Sequence, residues 1–241
     1  MPIRKLHSRF GRNTVVGGGG ASYLAVLDDG NTVAWFDYLK NVTKDGSDLV
    51  SVWGDKSVDS LGALNGNDLL QATGSNQPIV NANGILFDGI DNFMKCAAFT
   101  LVQPEFIYMV VNQVSWANFD YIFDGNTTNS GNLYQTGVSP EIAAVAGISS
   151  GRNDNLIIGI YGIVRILFDG VNSKLIVNDT SPISGDFGLL NMGGFYLGAI
   201  SPAIGFFANI EVKEIIIRKV ADNATDEQAI YEYLAEKYSI T

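Results

Sequence analysis

Beyond residue 20 the chain is a series of short runs of β-branched and aromatic residues, each ended by Gly, Asn or Asp. Runs of this length and composition are typical of β-strands, and their spacing is typical of a sandwich or a barrel. Asp169-Gly170 lies between two such runs and predicts a hairpin. The clearest predicted strands are Phe106 to Val111, Tyr121 to Phe123, Leu156 to Leu167, Lys174 to Val177, Phe195 to Leu197 and Ile210 to Arg218.

The last of these runs also predicts which side chains share a face, because successive side chains of a strand point to opposite sides. Strict alternation puts one set of residues on one face: Ile210, Val212, Glu214, Ile216 and Arg218. The other face then carries Glu211, Lys213, Ile215 and Ile217. We expect the second half of this strand to be buried on both sides.

A single amphipathic helix is predicted at the C-terminal end. Thr225 is suited to cap it, with Gln228 three residues further on. Its apolar side chains recur at helical spacing: Ile230, Tyr233, Leu234 and Tyr238. Because an isolated helix of about 14 residues is marginal in water, we expect this stripe to pack on the sandwich.

Charge divides the chain into two parts. Residues 1–20 carry four cations and no acid, a net charge of +4. The remaining residues therefore have a net charge of (15 − 4) − 25 = −14, and the whole chain has −10. The run Gly17 to Gly20 is typical of a linker. We therefore predict a basic N-terminal arm over residues 1–20 and one domain over residues 21–241.

The charge pattern also limits the partners. An acidic body repels nucleic acid, and the longest apolar run is far shorter than the roughly 20 residues of a membrane-spanning helix. We expect neither kind of partner. The arm is instead predicted to anchor the chain to other proteins of an assembly through six residues: Arg4, Lys5, Leu6, Arg9, Phe10 and Arg12.

Few residues of the domain suit catalysis. Cys96 is the only cysteine and His7, in the arm, is the only histidine, so no Ser/His/Asp or Cys/His arrangement can form on the domain. Glycosidases need two carboxyl groups about 5 to 9.5 Å apart. The nearest pair, Glu211 and Glu214, falls on opposite faces of its predicted strand. We therefore expect no catalytic residue and no enzymatic activity.

Several segments carry a resemblance when taken together in their order along the chain. They are Trp35-Phe36-Asp37, Val52-Trp53-Gly54-Asp55-Lys56-Ser57, Asn65-Gly66-Asn67-Asp68-Leu69, Phe87-Asp88-Gly89-Ile90-Asp91-Asn92, Leu167-Phe168-Asp169-Gly170 and Tyr196-Leu197-Gly198-Ala199. They resemble the concanavalin A-like, laminin G-like jelly-roll domains of phage virion and bacterial surface proteins. The resemblance covers roughly residues 30 to 241. It implies an all-β chain: a two-sheet antiparallel β-sandwich (jelly roll) with a short C-terminal helix and an extended N-terminal arm.

The resemblance implies a fold rather than an activity. Combined with the basic arm, it leads us to expect a structural virion component, such as a capsid decoration protein or part of a head or tail fibre, located on a phage particle and belonging to a large assembly. The alternative is a glycan-binding adhesin at a bacterial cell surface that recognises a host surface polysaccharide.

Two kinds of binding site are predicted on the domain. The aromatic residues Trp116, Tyr121 and Tyr134 are candidates for stacking on a sugar, although aromatic side chains of a sandwich usually belong to its core. Some proteins of this fold bind calcium, and the oxygens of Asp88, Asp91 and Asn92 suit that ion. The alternative for this second group is ordinary turn chemistry. No other cofactor is expected.

Overall fold

The computed structural model describes residues 24–203 and 205–241, with two antiparallel sheets packed face to face. This confirms the predicted all-β sandwich with one C-terminal helix. The predicted arm lies outside the described residues. Within the described part of the chain, no helix has the length and hydropathy to cross a membrane.

The first sheet has eight strands in the order β15-β14-β13-β8-β17-β6-β5, with β1 also paired to β17. Their bounds are β1 (Thr32–Asp37), β5 (Ile79–Val80), β6 (Ile85–Asp88), β8 (Glu105–Gln113), β13 (Tyr161–Phe168), β14 (Ser173–Val177), β15 (Ile183–Gly185) and β17 (Asn209–Arg218).

The second sheet has nine strands in the order β12-β11-β10-β9-β16-β7-β4-β3-β2. Their bounds are β2 (Val42–Lys44), β3 (Val50–Trp53), β4 (Leu69–Leu70), β7 (Met94–Lys95), β9 (Tyr121–Asp124), β10 (Ser130–Gln135), β11 (Ile142–Ala146), β12 (Ser149–Asn153) and β16 (Tyr196–Leu197). Short 3-10 turns cover Ala25–Asp28, Gly74–Asn76 and Gly170–Asn172.

One predicted strand is too long. The run from Leu156 was expected to be extended, but β13 begins only at Tyr161. Gly159 takes a positive φ of 78°, which turns the chain before the sheet begins. Leu156 still packs in the core, so the apolar run there reflects burial of a loop residue rather than a strand.

The main core lies between the two sheets and includes large side chains from both, such as Phe36, Trp53, Phe87, Phe123 and Phe168. Cys96 also lies in this core as a free thiol. Every residue of β8 is buried, because this strand is central in its sheet and both faces of the sheet are covered.

The strand β17 contains a β-bulge at Lys213, where the pairing with β8 shifts between Val212 and Glu214. Val212 faces the core between the sheets before the bulge, and Ile215 faces it after the bulge. The prediction of strict alternation was therefore wrong for this strand, since the extra residue exchanges the two faces. Glu214 and Ile216 consequently lie on the opposite side from the main core.

That opposite side is covered by the helix α1 (Ala224–Tyr238). A second apolar cluster joins the helix to the eight-stranded sheet and contains Phe106, Tyr108, Ile163, Ile216, Ile230 and Leu234. The predicted docking of the helix is confirmed, but Thr225 is not its cap. Asn223 is the cap, and its side chain accepts hydrogen bonds from the backbone of Thr225 and Asp226.

Candidate functional site

The outer face of the nine-stranded sheet carries a third apolar cluster, away from the two cores that stabilise the fold. It contains Tyr121, Tyr134, Ala143, Val145 and Ile200. In the sheet, Tyr134 pairs with Tyr121 of β9 on one side and with Ala143 of β11 on the other. Neighbouring strands thus bring these side chains together on one surface.

A bulge in β9 makes this placement possible. The pairing of β10 with β9 shifts between Leu133 and Tyr134. Both Ile122 and Phe123 consequently lie in the main core, whereas Tyr121 is on the outer face. Bulges commonly redirect side chains beside functional sites.

Four rings form a continuous series on this face, which we call the aromatic row: Phe119, Tyr134, Tyr121 and Phe206. The ring centroids of Tyr121 and Tyr134 are 5.2 Å apart, and their planes differ by 19°. The ring of Phe119 lies 6.4 Å from that of Tyr134, and the ring of Phe206 lies 6.3 Å from that of Tyr121. The two tyrosines are buried, but Phe119 is 50% exposed and Phe206 is 51% exposed.

Both phenylalanines at the ends of the row have a left-handed backbone. Phe119 has a φ of 75° and Phe206 a φ of 56°. The Phe119 N–H donates to the carbonyl of Gln135 at 2.8 Å, and the Phe206 carbonyl accepts from the Tyr121 N–H at 2.9 Å. Bulky residues rarely adopt this conformation, and such strain concentrates at functional sites.

A cavity of about 270 Å³ opens beside the aromatic row and is lined by Phe119, Tyr121, Asn129, Tyr134, Val145 and Gly147. The Tyr121 hydroxyl donates to Asn129 Oδ1 at 3.3 Å, and Asn132 Nδ2 donates to the same oxygen at 2.9 Å. Because these two donors occupy the oxygen, the Nδ2 of Asn129 is the atom of this amide that can donate to a ligand.

Two carboxyl groups, those of Asp120 and Asp124, lie at the two ends of β9, the strand that carries Tyr121. Asp124 ends β9, is buried, and accepts hydrogen bonds from Gly125 N at 2.9 Å and Ser201 N at 3.1 Å. Burial raises the pKa of Asp124 to about 7 despite those donors. Burial likewise raises the pKa of Asp120 to about 6. A carboxylic acid that keeps its proton near neutral pH is the form that general acid catalysis requires.

The tyrosine at the centre of the row stays neutral. Burial, together with the nearby Asp124 and Tyr134, raises the pKa of Tyr121 to about 12. Its hydroxyl therefore remains a hydrogen-bond donor to Asn129 throughout the physiological range.

Of the three aromatic residues predicted from the sequence, the structure brings Tyr121 and Tyr134 together. Trp116 does not line the cavity; it is half-buried, and its Nε1 donates to the carbonyl of Glu141 at 3.0 Å. Sequence reasoning missed Phe119, Phe206 and Asn129. No local signal identifies these phenylalanines, because nothing in the sequence marks a phenylalanine that will take a positive φ.

The residues predicted as calcium ligands form a turn. Asp88 Oδ1 accepts from the backbone N–H of Ile90 at 2.9 Å and from those of Asp91 and Asn92 at 3.4 Å each. Across residues 24–203 and 205–241, no three His, Cys, Asp or Glu side chains are grouped to hold a metal ion. The bonds to Asp88 are those of turn chemistry, and calcium binding stays a prediction.

The chain resembles known proteins in fold, as a comparison with solved structures shows. No protein-family model and no curated protein matches the chain. Among solved structures, Trypanosoma rangeli sialidase is similar over 86% of this chain and 33% of its own, with 14% identity and a TM-score of 0.59. An arabinofuranosidase complexed with arabinofuranosyl-alpha-1,2-xylobiose is similar over 87% of this chain and 64% of its own, with 11% identity and a TM-score of 0.62.

A GH54 α-L-arabinofuranosidase is similar over the same shares, with 13% identity and a TM-score of 0.63. The chain thus spans about a third of the sialidase and less than two thirds of the arabinofuranosidases. Identities this low carry the fold alone.

These neighbours correct two expectations drawn from the sequence. The chain was expected to be a structural virion component without enzymatic activity, with a glycan-binding adhesin as the alternative, but the similar solved structures named above are a sialidase and arabinofuranosidases rather than virion proteins. The expectation rested on the spacing of carboxylates in the sequence, which does not reveal the carboxyl groups that folding brings together.

Proposed function

We propose that this chain is a saccharide-binding domain of a carbohydrate-processing protein, and that it binds sugar at the aromatic row and its cavity. The observation that carries the proposal is the aromatic row itself, in which two half-exposed rings are held at strained backbone positions beside a cavity. The sialidase and arabinofuranosidase neighbours support the same chemistry.

Each part of the site suits a sugar. Aromatic rings present apolar faces against which the C–H groups of a sugar ring can pack. The Nδ2 of Asn129 can donate to a sugar hydroxyl, because the Oδ1 of the same amide already accepts two hydrogen bonds. A cavity that combines apolar walls with a few placed polar groups is the usual form of a small-ligand site.

The structural family of the sandwich is also a proposal. We propose that the sandwich is of the concanavalin A-like, laminin G-like kind, on the order of segments from Trp35 to Asn92. The two-sheet architecture with a C-terminal helix supports this assignment.

Glycoside hydrolysis is the second candidate function, and Asp124 favours it. Its carboxyl group lies at the end of the strand that carries Tyr121, and burial raises its pKa to about 7. Asp124 is fully buried and does not line the cavity, so hydrolysis would require it to become accessible. It would then give its proton to the oxygen of the leaving sugar while water adds to the anomeric carbon and loses a proton to a second carboxylate. If the chain releases reducing sugar from arabinoxylan, Asp124→Asn is expected to abolish that release.

Binding is tested by calorimetry with a panel of oligosaccharides and a double variant, Phe119→Ala with Phe206→Ala. Each ring contributes about 0.5 to 1.5 kcal/mol, so the double variant is expected to bind roughly tenfold more weakly. Leu61→Ala is the matched control, because Leu61 is an exposed apolar residue outside the cavity lining. Unchanged affinity in the double variant, or no binding by the unaltered chain, would overturn the proposal.

A further inference from the structure

We propose that the cavity beside the aromatic row accepts a single ring of an uncharged saccharide and rejects acidic sugars such as sialic acid. This inference rests on the proposed saccharide-binding function and names the class of sugar that the site selects. Its basis is the chemistry of the cavity wall and the placement of the surrounding charges.

The wall of the cavity is uncharged. It is formed by three aromatic rings, one amide, one valine and one glycine: Phe119, Tyr121, Tyr134, Asn129, Val145 and Gly147. The Asn129 amide offers a donor that suits a hydroxyl oxygen. None of these side chains can neutralise a carboxylate.

The nearest charges on the strand beneath the cavity are themselves acidic. Asp120 precedes β9 and Asp124 ends it. Neither residue lines the cavity, but both are in or beside the strand that carries Tyr121, and they add negative charge to this part of the domain as they ionise. An anionic sugar is therefore disfavoured by this strand.

Arg152 and Lys95 belong to strands of this sheet near the site, but neither lines the cavity. Arg152 pairs across β11 with Ala143, and its guanidinium is bound to Glu141 at 2.7 Å. Lys95 is separated from Asp124 by the intervening Tyr196, and its ammonium lies 5.9 Å from the centroid of that ring.

The cost of an acidic sugar follows from these placements. The described lining of the cavity includes no cation, so a carboxylate moved there out of water loses its hydration and gains no ion pair from it. An uncharged sugar of the same size loses only the hydration of its hydroxyl groups, which Asn129 can partly replace.

The size of the cavity limits the ligand to one ring. Its volume of about 270 Å³ lies just below the range of about 300 to 1,000 Å³ that is usual for drug-sized ligands. Further sugar units would have to lie over the exposed rings of Phe119 and Phe206 rather than inside it.

The test is calorimetry on the full chain at pH 7.5 with matched sugars that differ in a carboxylate. The panel pairs glucose with glucuronic acid, galactose with galacturonic acid and lactose with sialyllactose, and adds arabinofuranosyl-xylobiose as a further neutral ligand. We expect at least one neutral sugar to bind and every acidic counterpart to bind at least tenfold more weakly. An acidic sugar that binds within tenfold of its neutral counterpart would overturn the selectivity but leave the proposed function in place.

Absence of binding by every sugar of the panel would overturn the proposed function together with the selectivity. Asn129→Asp provides an isosteric variant that removes the donor and adds a negative charge to the wall. It is expected to weaken the binding of a neutral sugar about tenfold, the equivalent of one hydrogen bond of roughly 1.4 kcal/mol, with an unchanged Tm. Unchanged affinity in this variant would contradict the assigned role of the cavity wall.

Discussion

The ammonium of Lys237, in the last turn of α1, lies 2.6 Å from Oε2 of Glu214, in the middle of β17. Glu214 is fully buried and also accepts hydrogen bonds from Trp35 Nε1 at 2.6 Å and from the hydroxyl groups of Tyr233 and Tyr238. Lys237 additionally bonds Asp37 at 2.8 Å. The helix is therefore joined to the sheet by an ion pair as well as by apolar packing.

Removal of the cation should destabilise the whole domain. Lys237→Met leaves Glu214 buried with only its neutral donors and the more distant Lys56, 3.8 Å away. Breaking a buried pair from one side costs about 3 to 5 kcal/mol, so we expect a fall of that order in the free energy of unfolding, measured by urea denaturation. Gln228→Ala, at an exposed position of the same helix, serves as the control. Equal stability of the two variants would show that the pair contributes little.

The cap of the helix distinguishes the structure from the sequence-based prediction. Asn223→Ala removes the side chain that accepts from the Thr225 and Asp226 N–H groups and is expected to cost about 1 kcal/mol. Thr225→Ala should change stability far less, because Thr225 is exposed and is not the cap. Thermal unfolding of both variants decides between them; a larger loss in Thr225→Ala would favour the sequence-based assignment.

A buried acid makes stability depend on pH. Glu105 accepts from the Met192 N–H at 2.9 Å through Oε1, while Oε2 has no partner among the residues that the structure describes. Burial raises the pKa of Glu105 from 4.5 to about 8. The folded chain thus keeps a proton that the unfolded chain releases. The stability from this group is complete below pH 4.5 and is lost as the pH rises towards 8, at up to about 1.4 kcal/mol per pH unit.

Glu105→Gln keeps the shape of the side chain and removes this titration. We expect a flatter dependence of Tm on pH and a higher Tm than that of the unaltered chain at pH 8. The exposed Glu232→Gln provides the comparison. A parallel loss of Tm with pH in the Glu105→Gln variant would assign the effect to other groups.

Substitutions of Phe119 should affect stability and saccharide binding differently. Phe119→Gly removes a half-exposed ring and relieves a positive φ that costs a bulky residue about 1 to 3 kcal/mol. We expect equal or greater stability than in Phe119→Ala, which keeps the strain, and equally weak saccharide binding in both. Lower stability in the glycine variant would show that the backbone is not strained there.

Local pattern was enough for most of the architecture. β-Branched and aromatic runs located strands such as β8, β9 and β14, and helical spacing located α1. These predictions succeed because the spacing of buried apolar residues follows the period of a strand or a helix. The excess of cations in residues 1–20 and of acids in the rest of the chain is also a property of the sequence, and the division into an arm and a domain that it suggests stays a prediction. The sequence likewise offered Tyr121 and Tyr134 as candidates for sugar binding.

Tertiary structure decided the rest. The bulges in β9 and β17 exchange faces, so Tyr121 reaches the outer surface and Glu214 reaches the helix, and neither outcome follows from alternation. The aromatic row joins Phe119 and Phe206, which are 87 residues apart in the sequence, through backbone hydrogen bonds between loops and strands. A binding surface of this kind depends on long-range pairing and register, and these are set by the packing of the whole sandwich rather than by any local run of residues.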